Sequence, residues 1–258
     1  MIRKPPRNPA IDGDAVVREA LRTMDASNRR RFLKHSLTLG GLSLLTGCAI
    51  VDEASVETAL MKVSRFNDKV QGWLFDPTLL APTYPDSMIT RPFPFNAYYG
   101  EDEIREVDAD SYRLEVTGMV ADRHAWALCE LRALPQTDQV TRHICVEGWS
   151  AIGKWGGVTF SDFLKRVGAD TSARYVGFQC IDDYYTSIDM PTALHPQTQL
   201  TLAYDGQPLP PRYGFPMKLR MPTKLGYKNP KHIQAIFVTN TYPGGFWEDQ
   251  GYNWFGGS

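Results

Sequence analysis

The sequence predicts a mixed α+β domain dominated by strands, and three features carry that expectation. Five runs alternate apolar and polar residues at the period-two spacing of half-buried strands: YRLEVTGMV (Tyr112–Val120), ARYVGFQCI (Ala173–Ile181), TLAYDG (Thr201–Gly206), PMKLRMP (Pro216–Pro222) and HIQAIFVTNT (His232–Thr241). One amphipathic helix interrupts them. Phe160, Phe163, Leu164 and Val167 share a face, Thr159 with Asp162 resembles a capping box, and Gly168 stands where a C-terminal cap is needed. Prolines break the connections, most densely at Pro77, Pro82, Pro85, Pro92 and Pro94.

From the N-terminus, NRRRFLKHS (Asn28–Ser36) precedes the uncharged run LTLGGLSLLTGC (Leu37–Cys48), which is short for a bilayer-spanning helix and suits a signal peptide. Paired arginines followed by Phe32, Leu33 and Lys34 resemble the twin-arginine (Tat) signal, which exports proteins already folded; this places the mature chain in the periplasm. Leu45, Thr46, Gly47 and Cys48 resemble a lipobox, in which Cys48 would be acylated; an ordinary small-residue cleavage site with a chance cysteine is the alternative. Residues 1–47 are therefore read as signal, with Met24 giving a start of more ordinary length.

Residues 48–94 read as an irregular lead-in wrapping the core, with a short helix at VETALMKVSRFNDKV (Val56–Val70), and 95–258 as the main domain. A second short helix is expected at LCELRALP (Leu128–Pro135), stopped by Pro135, with Cys129 a small buried apolar residue. Net charge is −1 and the charges are mixed, so no nucleic-acid footprint appears. No second long apolar run follows the signal, so membrane contact beyond a lipid anchor is expected through a partner.

The chemistry centres on RHICVEGW (Arg142–Trp149), where an apparent strand runs into a glycine-containing turn and presents Cys145. If Cys48 carries lipid, Cys129, Cys145 and Cys180 remain, an odd number for an exported protein; Cys180, at a strand end, could be core, pocket wall or bridge partner. A thiolate at Cys145 suits a soft or high-valent metal. Nucleophilic catalysis with His143 as base is the rival, although no orienting acid is obvious. Zinc lacks its ligand spacing and haem attachment its C-x-x-C-H motif. His143 and His195 read as structural or cofactor-proximal, and Glu147 as a proton relay or a loop cap. Trp149, Trp155, Trp247 and Trp254 read as packing and pocket walls.

Three segments in order, HICVEGWSAIGKWGGVTFSDFL, HPQTQLTLAYDGQPLPPRYGFPMKLRMPTKLGYKNPKHI and GFWEDQGYNWFGG, resemble the sulfite-oxidase-fold molybdopterin enzymes. The nearest branch contains the catalytic subunit of periplasmic methionine-sulfoxide reductase. The resemblance runs from about Phe95 to the C-terminus. It implies a molybdenum-molybdopterin cofactor in its mononucleotide-free pyranopterin form, with Cys145 as the protein ligand to molybdenum. It places Asn96, Tyr99 and Gly100 of FNAYYG, then Cys180, Tyr213, Lys218, Asn229, Pro230 and Lys231, at the pterin. Three positions depart from the branch pattern: Tyr213 stands for an amide, Lys218 for a guanidinium and Cys180 for a hydroxyl. Lysine keeps the charge but loses the bidentate fork, which bears on substrate more than on cofactor retention.

The resemblance implies oxygen-atom transfer, reductive rather than sulfite-oxidising. No haem or flavin motif is present, so electrons must pass to or from a separate protein, a membrane cytochrome b or a c-type cytochrome. The other class weighed is a non-catalytic envelope lipoprotein using the fold for interaction. One local charge bias supports an anionic ligand: Gly206 to Trp247 contains no Asp or Glu but holds Arg212, Lys218, Arg220, Lys224, Lys228 and Lys231. The alternative is a solvated basic strand edge.

Overall fold

The computed structural model describes residues 53–258, so the export signal, Met24 and Cys48 lie outside the described residues. The expected N-terminal helix is longer than its sequence pattern: α1 spans Glu53–Leu74. Residues Ala59–Ser258 form a compact unit.

Two sheets make up that unit. The first has the order β2-β1-β10-β5-β6, with β1 Arg113–Gly118, β2 Trp126–Ala127, β5 Tyr175–Cys180, β6 Tyr185–Asp189 and β10 Ile233–Thr239. Only β1 and β10 pair in parallel, from Glu115 opposite Ala235 to Gly118 opposite Val238. The second runs β3-β4-β7-β8, with β3 Thr137–Ile144, β4 Ser150–Thr159, β7 Gln199–Tyr204 and β8 Gln207–Pro208; β9, Lys218–Arg220, pairs with β7. The five alternating runs of the sequence thus become β1, β5, β7, β9 and β10.

The helix α3 (Phe160–Arg166) follows β4 directly, buries Phe160, Phe163 and Leu164, and is closed by Gly168 at φ 61°. Its start differs from a capping box, because the Thr159 hydroxyl donates to the Asp162 carboxylate and no side chain caps a backbone N–H. In α2 (Leu128–Ala133) the buried pair is Leu128 and Leu131, three residues apart. Cys129 stands off that face and is exposed, which corrects the expectation of a buried thiol. The short α4 (Met190–Ala193) follows β6.

One large core joins Leu114 and Val116 of β1, the α3 aromatics, Phe178 of β5, Leu200 and Leu202 of β7, and Ile236 and Val238 of β10. Each such large apolar side chain contributes about 1.5–3 kcal/mol by leaving water. A second cluster sets Phe93 of the lead-in against Trp155, Leu209 and Tyr213. The lead-in is tied to the second sheet, since the Tyr84 N–H donates to the Val140 carbonyl (3.0 Å) and the Thr90 N–H to that of Ile152 (2.9 Å).

Candidate active site

β3 and β4 form a hairpin whose turn begins at Cys145. The Cys145 N–H donates to the Trp149 carbonyl (2.9 Å) and the Gly148 N–H to the Cys145 carbonyl (3.2 Å). Gly148 holds φ 91°, a conformation glycine adopts without penalty. This geometry sets Cys145 in the wall of a pocket that encloses about 750 Å³, including its solvent-open part.

Four further segments complete the pocket: Asn96–Tyr99 ahead of β1, the β5–β6 turn at Asp182 and Tyr184, the β9–β10 connection from Gly226 to Lys231, and the segment after β10 at Trp247 and Tyr252. The Tyr99 hydroxyl donates to Asp182 Oδ2 (3.0 Å), and the Tyr98 hydroxyl to the Asp182 carbonyl. Asn229 holds its own loop in shape. Its Oδ1 accepts from the Met221 N–H (2.6 Å) and from Arg220 (3.3 Å), while its Nδ2 donates to the Leu225 carbonyl (3.0 Å). Gly226 lets this loop pass close to Cys145: a Cβ there would sit 2.8 Å from His143 Nε2 and 3.5 Å from Cys145 Cα.

The electrostatics are unusual for a protein interior. Lys218, Arg220, Lys224, Lys228 and Lys231 are each no more than 9% exposed, so the acid-free stretch is not a solvated strand edge. Lys228 pairs with Glu248, and Lys224 donates to the Phe255 carbonyl (2.9 Å). The other three have no ion pair among the described residues. Arg220 donates to the Arg142 carbonyl (2.6 Å) and Thr141 (3.2 Å), and Lys231 to the carbonyls of Asn96 and Arg212. The Lys218 ammonium lies 4.7 Å from the Trp155 ring centroid with no hydrogen-bond partner among the described residues. Burial pushes Lys231 down to about 8, and burial with the neighbouring Lys231 and Arg220 charges pushes Lys218 well below the ordinary lysine range.

The same field acts on His143. Burial, then the charges of Arg220, Lys218 and Lys231, hold its pKa well below the usual histidine range, so its ring is neutral. Its Nε2 lies 3.5 Å from Asn96 Nδ2 and its Nδ1 has no partner. Among the described residues no carboxylate orients it, so the Cys–His nucleophile reading lacks a third group. Burial pushes the Cys145 thiol upward, whereas a bound metal would act in the opposite sense.

Of the residues singled out in the sequence, Asn96, Tyr99, Cys145, Glu147, Asn229, Pro230, Lys231 and Trp247 line the pocket together. Gly100, Cys180, Tyr213 and Lys218 do not. Gly100 begins the short turn at Glu101–Glu103, and Cys180 is core at the end of β5, a free thiol. Tyr213 donates to the Phe93 carbonyl (2.9 Å) within the second apolar cluster. Lys218 lies behind the pocket, where an added Cβ on Gly214 would come within 3.1 Å of its Cβ and 2.9 Å of that of Lys231. His195 is structural, its Nε2 toward the Leu79 carbonyl (3.1 Å) and its Nδ1 accepting the Gln197 N–H (3.1 Å). Glu147 accepts the Trp149 indole N–H (2.9 Å). Tyr98, Asp182, Tyr184, Tyr227 and Tyr252 line the pocket without having been singled out; the aromatic density of FNAYYG and GYNWFGG hinted at Tyr98 and Tyr252 alone.

Buried cations without an ion pair among the described residues, beside a pocket walled by one thiol, fit an organic anion bearing a metal. Lys231 and the Asn229 loop would hold its phosphate end, and Cys145 would offer a soft ligand. Fold and site thus define a domain built around an anionic redox cofactor. Residues 101–247 match the family model described as oxidoreductase molybdopterin binding domain, and the chain belongs to that family of oxidoreductases. It is 72% identical, over 100% of both chains, to a protein of Azospira oryzae provisionally named protein-methionine-sulfoxide reductase subunit YedZ1. It is 34% identical to the protein-methionine-sulfoxide reductase catalytic subunit MsrP of Xanthomonas axonopodis pv. citri, a match spanning 46% of this chain and 42% of that one. Among solved structures, the sulfane dehydrogenase SoxCD of Paracoccus pantotrophus aligns with a TM-score of 0.50 at 17% identity, over 54% of this chain and 40% of that one. That likeness speaks to the fold.

Proposed function

We propose that the protein is a periplasmic reductase that removes an oxygen atom from a sulfoxide, with methionine sulfoxide the first candidate, at a molybdenum centre ligated by Cys145. The observation that carries this reading is the placement of that thiol in one pocket with Asn229 and Lys231, backed by Lys218 and Arg220, which have no ion pair among the described residues. The similarity to methionine-sulfoxide reductase subunits supports the sulfoxide.

The cofactor, when bound, supplies two-electron oxygen-atom transfer, in which a sulfoxide takes up two electrons and two protons to give a sulfide and water. The chain's own residues bind and orient. Lys231 and the Asn229 loop would hold the phosphate, Asn96 in the pocket wall stands beside neutral His143, and Tyr98, Tyr184 and Trp247 would supply an aromatic wall for an apolar sulfoxide substituent. Electrons arrive from a separate donor, a membrane cytochrome b or a c-type cytochrome. Acylated Cys48 would keep the enzyme near such a donor.

Two substitutions test the assignment. Cys145→Ser is expected to abolish turnover with reduced viologen and methionine sulfoxide while pterin content, measured by fluorescence after release, stays near that of the parent. Lys231→Ala is expected to lower pterin retention about tenfold or more, because a charge-assisted contact to phosphate is lost. Molybdenum X-ray absorption on the intact enzyme provides the direct check: absence of a protein-derived sulfur neighbour would remove Cys145 from the metal.

A further inference from the structure

Helix α1 is mounted inside out. From Leu60 onward its least exposed side chains are the polar Ser64, Asp68 and Gln71, which share one face. Asp68 accepts from Asn253 Nδ2 (2.7 Å) and the Phe255 N–H (3.0 Å), tying that polar face to the C-terminal segment. On the opposite face, Val63, Phe66, Val70 and Trp73 stand in solvent at helical spacing, with Phe66 64% and Trp73 82% exposed. A helix held by an apolar core shows the reverse arrangement. Lys62, Arg65 and Lys69 run along one flank of this apolar stripe, whereas Asp68 is turned inward.

We propose that α1 is an in-plane membrane helix that seats the domain, apolar face down, on an anionic phospholipid bilayer. Charge favours lipid over a second copy of the chain, because a basic flank on an apolar stripe complements anionic headgroups and repels its own image. Chain length agrees: Cys48, the candidate lipid-bearing residue, precedes the start of α1 at Glu53 by five residues, a reach of at most about 18 Å. Trp73 stands at the end of the stripe, where amphipathic rings favour the headgroup level. No helix of the described residues is long and apolar enough to cross a membrane, so α1 lies on the bilayer. The domain therefore has a membrane contact of its own, beyond a lipid anchor or a partner.

The test uses protein carrying Cys48→Ser, so that no acyl chain contributes, mixed with phosphatidylglycerol/phosphatidylethanolamine vesicles or phosphatidylcholine vesicles containing brominated lipid. The difference in tryptophan quenching between this protein and the same protein with Trp73→Phe reports α1 alone. Quenching at Trp73 in the anionic vesicles, weakened by salt, is expected. Phe66→Ser with Val70→Ser should lower binding about tenfold or more, and Lys62→Glu with Arg65→Glu and Lys69→Glu should remove the preference for anionic lipid. All these side chains are exposed, so thermal unfolding and molybdenum content should not move; the outcome is thereby separate from the cofactor reading. Trp73 unquenched by lipid would overturn the proposal, as would Trp73 shielded only by a membrane protein or only in a concentration-dependent dimer.

Discussion

Two groups of buried cations lie a few residues apart in the same stretch of chain, and the interior treats them differently. On the C-terminal side, Lys228 donates to Glu248 and to the Ser187 carbonyl (2.7 Å), and Lys224 to the Phe255 carbonyl. On the pocket side, Lys218, Arg220 and Lys231 have no ion pair among the described residues and meet carbonyls, a hydroxyl, an amide oxygen and two aromatic rings, with the Asp182 carboxylate acting on Lys231 only at longer range. In the first group Lys228 is closed in charge by Glu248, while Lys224 meets a carbonyl and the Phe255 ring; both hold the last residues against the body. The second is open. A buried charge without a counter-ion costs several kcal/mol, so its retention identifies the place where a ligand must bring negative charge.

The largest expected effect comes from opening the closed group. Glu248→Gln leaves Lys228 buried and uncompensated and should lower stability by about 3–5 kcal/mol with or without cofactor, measured by urea unfolding. Replacing both partners, Lys228→Met with Glu248→Leu, should recover most of that loss. If the single variant were nearly neutral, the two groups would not differ as argued. Next in size is Lys218→Met, where the sign should reverse with occupancy. Removing an unpaired buried amine should stabilise the cofactor-free protein by up to about 4 kcal/mol, and the same variant should retain less pterin. Stabilisation in both states would mean that Lys218 plays no part in holding the anion.

The contrast between the groups was only half visible in the sequence. The acid-free stretch could be counted, but burial and pairing depend on Glu248, Asn96 and Arg142, which are remote in sequence from the cations they meet. Strands with strict alternation, such as β1 and β10, were legible because a local period records a half-buried face. β4 was not, since SAIGKWGGVT is rich in glycine and buried on both faces from Trp155 to Val158. Cys145 was legible as a strand end running into a glycine turn whose thiolate suits a soft metal, while molybdenum itself came from the family resemblance. Cys129 was misjudged because a helix of one and a half turns has room for a single buried pair, Leu128 with Leu131. In α1 the amphipathic pattern lies in the sequence, but periodicity cannot say which face meets the body.

The smallest effect divides the two groups by titration. Burial pushes Lys224 down to about 7 and Lys231 to about 8, both below the ordinary lysine value near 10.4 that the unfolded chain retains. Above those values the unfolded chain binds protons that the folded chain does not, so stability rises with pH; below about 7 both forms are charged and the full cost of burial is present. Toward pH 9 the buried Cys145 and Cys180 thiols, pushed upward by desolvation, begin to act in the opposite direction. Cofactor-free protein should therefore gain roughly 1 kcal/mol per pH unit between about pH 7 and 9, read from urea midpoints. An anion bound in the pocket keeps Lys231 protonated and removes its share of the slope, while the share of Lys224 persists in the loaded enzyme and disappears only in Lys224→Met. Equal slopes in the loaded and cofactor-free proteins would show that the open cations do not face the anion.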